Sequence, residues 1–291
     1  MALSPPSPAR RAFAHHVRQA DPRIDLARAA LLIAAEEYPG LAVDTYLARL
    51  DTLADQVREL LARGATPSAA GHAADTIRAL NAVLFEDHGF HGAEDDYYDP
   101  RNSFLNEVLD RKCGIPITIS LVYMEVAARV GLTLAGIGTP GHFIVRYRAP
   151  SHGDAPDLFI DPYHGGALLS YNECAAHFRR LYGPDFTVSP EHLTPLTRHQ
   201  ILARLLRNLK HIYLRRRDYA RAVLVVDRLL LVHPDALWEL KDRGLLQYRL
   251  GAADAAKTDL LAYLEREPDA EDAQLLRYYV KLCDYLLTSR N

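Results

Sequence analysis

Residues 99–166 read DPRNSFLNEVLDRKCGIPITISLVYMEVAARVGLTLAGIGTPGHFIVRYRAPSHGDAPDLFIDPYHGG and form the most specific pattern in the chain. Cys113 is followed by an apolar helical stretch, then by His142 at the start of one predicted strand and Asp161 at the end of the next. A thiol, an imidazole and a carboxylate are the groups of a nucleophilic site in which the carboxylate orients the imidazole. The pattern therefore predicts Cys113, His142 and Asp161 as candidate catalytic residues.

The secondary structure of this stretch can be predicted from its prolines, its glycines and the spacing of its apolar residues. Pro116 is expected to open the helix, because the N–H that proline lacks would be unbonded at a first helical position. Apolar residues then recur at close to helical period, and Gly131 is expected to end the helix. Strands are predicted over 132–138, 142–148 and 158–161.

The loop between the last two strands is rich in proline, serine, glycine and aspartate, which is typical of a hairpin. If the strands pair about the middle of the loop, His142 lies directly opposite Asp161. Directly opposed side chains in an antiparallel ladder approach within about 5 Å. A hydrogen bond between His142 and Asp161 is therefore predicted, and Asp161 would fix the tautomer of the imidazole.

Three segments carry a family resemblance: NSFLNEVLDRKCGIPITISLVYMEVAARVGL (102–132), PGHFIVRY (140–147) and FIDPYHGG (159–166). Together they resemble the transglutaminase-like fold, a relative of papain-type cysteine hydrolases, and within it the SirB1 branch. The resemblance runs from about Asp25 to the C-terminus. It implies an α+β fold class with a helical N-terminal lead-in, a papain-related core with an antiparallel sheet, and C-terminal α-helical repeats.

The resemblance leaves two functions open. In active transglutaminase-like enzymes the nucleophilic cysteine opens the helix, whereas here Pro116 stands at that position and Cys113 precedes it. One hypothesis is a non-catalytic protein-interaction or scaffold protein. The alternative is a cysteine hydrolase or acyl transferase that acts on a protein or peptide through Cys113, His142 and Asp161. Thr118 or Ser120 replacing the thiol is a further, less favoured option.

The repeats are visible in the C-terminal third. HPDA at 233–236 recurs as EPDA at 267–270, so the two prolines are 34 residues apart. A helix-turn-helix period of this length is the tetratricopeptide signature. Helices are predicted over 200–215, 219–232, 237–250, 253–266 and 273–288. Such repeats indicate a protein or peptide partner.

Four segments are predicted from these patterns: a flexible N-terminus, suggested by its prolines, a transglutaminase-like domain, a linker and a repeat domain, over 1–21, 22–183, 184–197 and 198–291. Within the second segment, Asp25 is expected to cap a first helix, and further helices are predicted over 43–62 and 67–85.

Composition excludes several classes of protein. The 291 residues are 49% hydrophobic with a net charge of −3, which is ordinary for a globular protein and gives no pull toward nucleic acid or membranes. Three widely spaced cysteines argue against a disulfide framework and a zinc cluster and favour a reducing, cytoplasmic location. Neither a metal nor a cofactor is predicted; the acidic run 94–99 lacks the spacing of an EF-hand.

One stretch, 198–228, carries nine lysines and arginines against two aspartates. A nucleic-acid surface is disfavoured there, because the stretch lacks a run of aromatic residues for base stacking. Docking onto the acidic stretch 86–110, or onto an acidic protein partner, is the favoured interpretation.

Overall fold

A computed structural model of the chain describes residues 7–64, 71–148 and 157–289. The helices are α1 Pro8–Val17, α2 Leu26–Glu37, α3 Val43–Arg63, α4 Gly71–Asn81, α5 Leu105–Arg111, α6 Pro116–Arg129, α7 Tyr171–Tyr182, α8 Arg198–Arg215, α9 Tyr219–Val232, α10 Leu237–Arg249, α11 Ala253–Arg266 and α12 Ala273–Thr288. The strands are β1 His91–Gly92, β2 Cys113–Gly114, β3 Ala135–Thr139, β4 His142–Tyr147, β5 Leu158–Asp161 and β6 Ala167–Leu169. The predicted α+β class is confirmed.

The chain folds into two compact units, one of Asp21–Ile201 and one of Met1–Ala20 with Leu202–Asn291. In the first unit β3, β4, β5 and β6 form an antiparallel sheet in chain order, and β1 and β2 form a short parallel pair. The second unit joins the N-terminal residues to the repeats. These are called the core unit and the repeat unit below.

The core unit is built around α6. Pro116 occupies its first turn, as predicted, and ten of its residues are buried, on all sides of the helix. A helix that is apolar all round must be covered all round. The cover comes from α2, α3 and α4 on the helical side and from β3 and β4 on the sheet side.

Helices α2 to α4 follow the predictions with one change. Asp25 caps α2 by accepting a hydrogen bond from the backbone N–H of Arg28 at 2.9 Å. The single helix predicted over 67–85 is instead α4 followed by a π-helical turn, Ala82–Asp87. Its predicted start at residue 67 lies outside the described residues.

The predicted strand 132–138 begins late. Gly131 adopts φ +87° and the backbone N–H of Leu132 bonds back to the carbonyl of Ala127 at 2.9 Å, so the helix end occupies these residues and β3 starts only at Ala135.

Strand β6 was not predicted. The expected linker 184–197 carries Val188 and Leu193, which pack with Ile137, Ile144, Phe159 and Phe178 in a buried cluster.

In the repeat unit, α8 to α12 match the predicted helices to within two residues at every end. Ala222 and Ala256, which are 34 residues apart, are both fully buried. Small residues at equivalent positions let the paired helices approach closely, so the 34-residue register is confirmed.

The N-terminal segment, for which flexibility was predicted, contains the helix α1. Ser7 caps α1 by accepting from the N–H of Arg10 at 3.0 Å, and Pro8 fits the first turn. Phe13 and Val17, spaced by one turn, are buried, and α1 packs against α9. The segment predicted from its prolines to be flexible thus contains a helix with a buried apolar pair on one face.

None of the helices in the described part of the chain is long and apolar enough to span a membrane.

Candidate functional site

The predicted hydrogen bond between His142 and Asp161 is present, although the predicted strand register is wrong. The ladder pairs Val145 with Ile160 and Arg146 with Phe159, and continuing it would place Asp161 opposite Ile144. The register thus differs by two residues from the symmetric hairpin. A shift of two keeps both side chains on the same sheet face. His142 Nε2 lies 2.8 Å from Asp161 Oδ2, across the diagonal.

Asp161 is the centre of a small polar cluster. Its Oδ2 is also 2.7 Å from His164 Nδ1, and its Oδ1 accepts a hydrogen bond from the backbone N–H of Tyr163 at 3.1 Å. The side chain is only 3% exposed. Burial pushes the pKa of Asp161 upward, but the hydrogen bonds and charges of His142 and His164 outweigh it, so the pKa lies below its ordinary value. The group is therefore a carboxylate at neutral pH.

Two further rings enclose His142. The His177 ring, from α7, meets it edge-on with centroids 4.8 Å apart, and the Tyr163 ring does so at 5.7 Å. His177 Nδ1 lies 3.2 Å from Thr139 Oγ1. Burial and the nearby His142 lower the pKa of His177, which favours the neutral imidazole.

Cys113 is held in a strand instead of at the helix start. Helix α5 ends at Lys112 in the left-handed conformation, with φ 60°, and the chain then runs beside β1 as β2. Burial raises the pKa of the Cys113 thiol, which opposes formation of the nucleophilic thiolate. Among the described residues, no hydrogen bond links Cys113 Sγ to His142. Of the three predicted site residues, His142 and Asp161 are hydrogen-bonded to each other, and the role of Cys113 stays a prediction.

The hydroxyl groups of Thr118 and Ser120, the alternative nucleophiles, are hydrogen-bonded to backbone carbonyl groups. Thr118 Oγ1 lies 2.8 Å from the carbonyl of Asn102 and 3.0 Å from that of Ile115, and Ser120 Oγ lies 3.4 Å from the carbonyl of Phe143. Both side chains are fully buried. Their hydroxyls serve to satisfy buried carbonyl groups, which are costly to leave unpaired.

His164 and His177 were missed from the sequence. A signal for His164 exists, since an aspartate followed by proline can accept hydrogen bonds from the turn that follows it, here Pro162–His164. No local pattern marks His177, because α7 reaches His142 only through the packing of the sheet.

Comparison with known proteins accords with this architecture. Residues 44–207, more than half of the chain, match the model of the transglutaminase-like superfamily. The chain belongs to this superfamily. Residues 209–280 of the same chain match a tetratricopeptide repeat model, which confirms the repeat assignment.

Relatives of this transglutaminase-like protein are bacterial and animal. A UPF0162 protein of Xylella fastidiosa (strain 9a5c) is 36% identical, over 88% of this chain and 89% of its own length. A UPF0162 protein of Vibrio cholerae is 29% identical, over 70% of this chain and 74% of its own. The F-box only protein 21 of Homo sapiens is 29% identical over 60% of this chain, which corresponds to 28% of that larger protein. No solved structure gives a significant match.

Proposed function

We propose that this chain is a non-catalytic, protein-binding member of the SirB1 branch, in which the core unit lacks an activated nucleophile and the repeat unit contacts a protein partner. The observation that carries the first part is the position of Cys113. Its pKa is raised by burial, and the first helical position that an activated thiol would take holds Pro116.

The second part is supported by an apolar stripe on α12. Leu275, Tyr278 and Tyr285 lie at helical spacing on one face and are 55%, 57% and 70% exposed. Spacings of three and seven residues bring side chains to the same side of a helix. Exposed aromatic residues grouped on one face are typical of protein-interaction surfaces. We call these three residues the α12 stripe.

Charge pairing supports the exclusion of nucleic acid. Several basic residues of 198–228 are paired within the repeat unit: Lys210 Nζ lies 2.6 Å from a carboxylate oxygen of Glu239, and Arg207 Nε lies 3.4 Å from the other. Arg221 pairs with Asp218 at 2.7 Å. Paired cations contribute less to a phosphate-binding surface. The free cysteines, Cys113, Cys174 and Cys283, favour a reducing compartment such as the cytoplasm.

The alternative function is a Cys-His-Asp hydrolase or acyl transferase, and the intact His142–Asp161 hydrogen bond is the observation that favours it. The reactivity of Cys113 decides between the two. With a raised pKa, Cys113 should react with iodoacetamide more slowly at pH 7 than a free thiol, and its rate should rise with pH throughout the range in which a free thiol reacts faster. Peptide mapping by mass spectrometry, in the wild type and in Cys113→Ser, would assign the reaction to this thiol.

Rapid alkylation of Cys113 near pH 6 that is lost in His142→Ala would reverse this preference. It would show an imidazole-activated thiol, and the enzyme hypothesis would then be favoured.

The binding part of the proposal has its own test. Proteins captured by the tagged chain from its own cells should be depleted when Leu275 and Tyr278 are both changed to alanine. Cys113→Ser should leave the captured set unchanged. Leu261→Ala is the matched control, because Leu261 is 45% exposed but lies on α11. Equal capture by all variants would contradict a role for the α12 stripe.

A further inference from the structure

We propose that His142, Asp161 and His164 bind a divalent transition-metal ion such as zinc or cobalt. One ligand atom from each residue takes part, and these three atoms all lie within 4.8 Å of one another. Two imidazole nitrogens and one carboxylate oxygen form a donor set that suits such ions. The proposal is independent of the protein binding proposed above.

The backbone places the three ligands from different elements. His142 begins β4, Asp161 ends β5, and His164 ends the turn Pro162–His164 that Asp161 caps. The cap uses only Oδ1 of Asp161, through the N–H of Tyr163. Oδ2 is therefore the oxygen that both histidines face. Asp161 could bind a metal ion through this single oxygen while Oδ1 keeps its hydrogen bond to Tyr163.

The distances define the rearrangement that binding needs. Both nitrogens are now hydrogen-bonded to Oδ2, at 2.8 and 2.7 Å. Ligand atoms about 2.0–2.1 Å from a tetrahedral zinc ion are separated by roughly 3.3 Å, so each contact must lengthen by about half an ångström. On binding, each imidazole offers a lone pair to the metal and carries its proton on the other ring nitrogen. The metal thus replaces the two hydrogen bonds.

The surroundings allow the exposed His164 side chain to move and restrict the buried side chains of His142 and Asp161. The His164 side chain is 59% exposed and can shift, whereas those of His142 and Asp161 are 12% and 3% exposed. His142 is further held by the edge-on ring of His177. Two ligands are thus held in place and one can adjust, so His164 supplies most of the movement that binding needs.

The experiment uses the full chain without a polyhistidine tag, stripped of metal by a chelator and titrated with Zn²⁺ by calorimetry and with Co²⁺ by visible absorption. We expect one ion per chain. Loss of a residue that only orients a metal ligand already costs about 10–100-fold in affinity, so His164→Ala and Asp161→Asn should each weaken binding at least about tenfold. His164→Ala is the primary variant because an exposed side chain can be removed without unfolding the chain, which circular dichroism would verify.

Two controls separate this site from other metal binding. His72→Ala removes another exposed histidine of the core unit, in α4, and should leave the affinity unchanged. Cys113→Ser should also leave it unchanged, and the Co²⁺ spectrum should lack the intense near-ultraviolet band of a thiolate ligand. The proposal is overturned if the wild type binds no ion, if His164→Ala binds as tightly as the wild type, or if thiolate ligation appears. None of these outcomes bears on the alkylation of Cys113 or on capture through the α12 stripe.

Discussion

Replacing Gly166 with alanine should lower the free energy of unfolding by about 3 kcal/mol. Gly166 adopts φ +76°, where an L-residue is strained. A Cβ built there would lie 2.1 Å from Asn81 Oδ1. Asn81 cannot move away freely, because its Nδ2 donates to the carbonyl of Gly166 at 3.0 Å and its Oδ1 accepts from the buried Tyr123 hydroxyl at 2.9 Å.

The neighbouring glycine provides a matched control. Gly165 also has a positive φ, +67°, but a Cβ there would meet nothing within 4 Å. Gly165→Ala should therefore cost only the backbone strain, about 1 kcal/mol. Urea unfolding followed by circular dichroism would measure both variants. If the two lost the same stability, the tight contact between Gly166 and Asn81 would be contradicted.

Replacing Arg243 with alanine should destabilise the repeat unit by about 3 kcal/mol. The guanidinium makes two 2.7 Å hydrogen bonds to the carboxylate of Asp259 and one of 2.8 Å to Asp227. The Asp259 side chain is only 8% exposed. Removal of Arg243 would leave this carboxylate buried without its cation, which costs more than the pair itself contributes. Asp227 would retain Arg10, at 3.0 Å.

Trp238, the single tryptophan of the chain, lies on the same helix as Arg243. Its fluorescence during unfolding in urea would therefore measure the loss of stability in Arg243→Ala. Arg243→Lys should recover part of the loss, because it restores the charge without the two-pronged geometry. Arg221→Ala, which breaks an exposed pair with Asp218, should cost less than about 1 kcal/mol. An Arg243→Ala variant as stable as Arg221→Ala would contradict the importance of this network.

The sequence by itself determined the elements that depend on local rules. Pro116 opens α6, Asp25 caps α2, and the 34-residue repeat gives the register that buries Ala222 and Ala256. The pairing of His142 with Asp161 was also accessible, because alternation along a strand fixes the face of each side chain whether or not the register is shifted by two.

Tertiary structure decided the features that depend on packing over long distances. The prolines of the N-terminus suggested a flexible segment, but Phe13 and Val17 are buried and α1 packs on α9, more than 200 positions away in the chain. Strand β3 begins at Ala135, later than predicted, because the N–H of Leu132 is bonded to the end of α6. Burial of side chains competes with local preference, and its outcome cannot be read from neighbours in sequence.

The candidate site shows the same division. Its His142–Asp161 pair follows from strand alternation, whereas His177 enters through α7 and Cys113 lies in β2, which follows the left-handed Lys112. The sequence thus determined which chemical groups are available. Only the folded chain decided that two histidines share one buried carboxylate while the thiol lies in another strand, because those distances are set by how helices and sheet pack together.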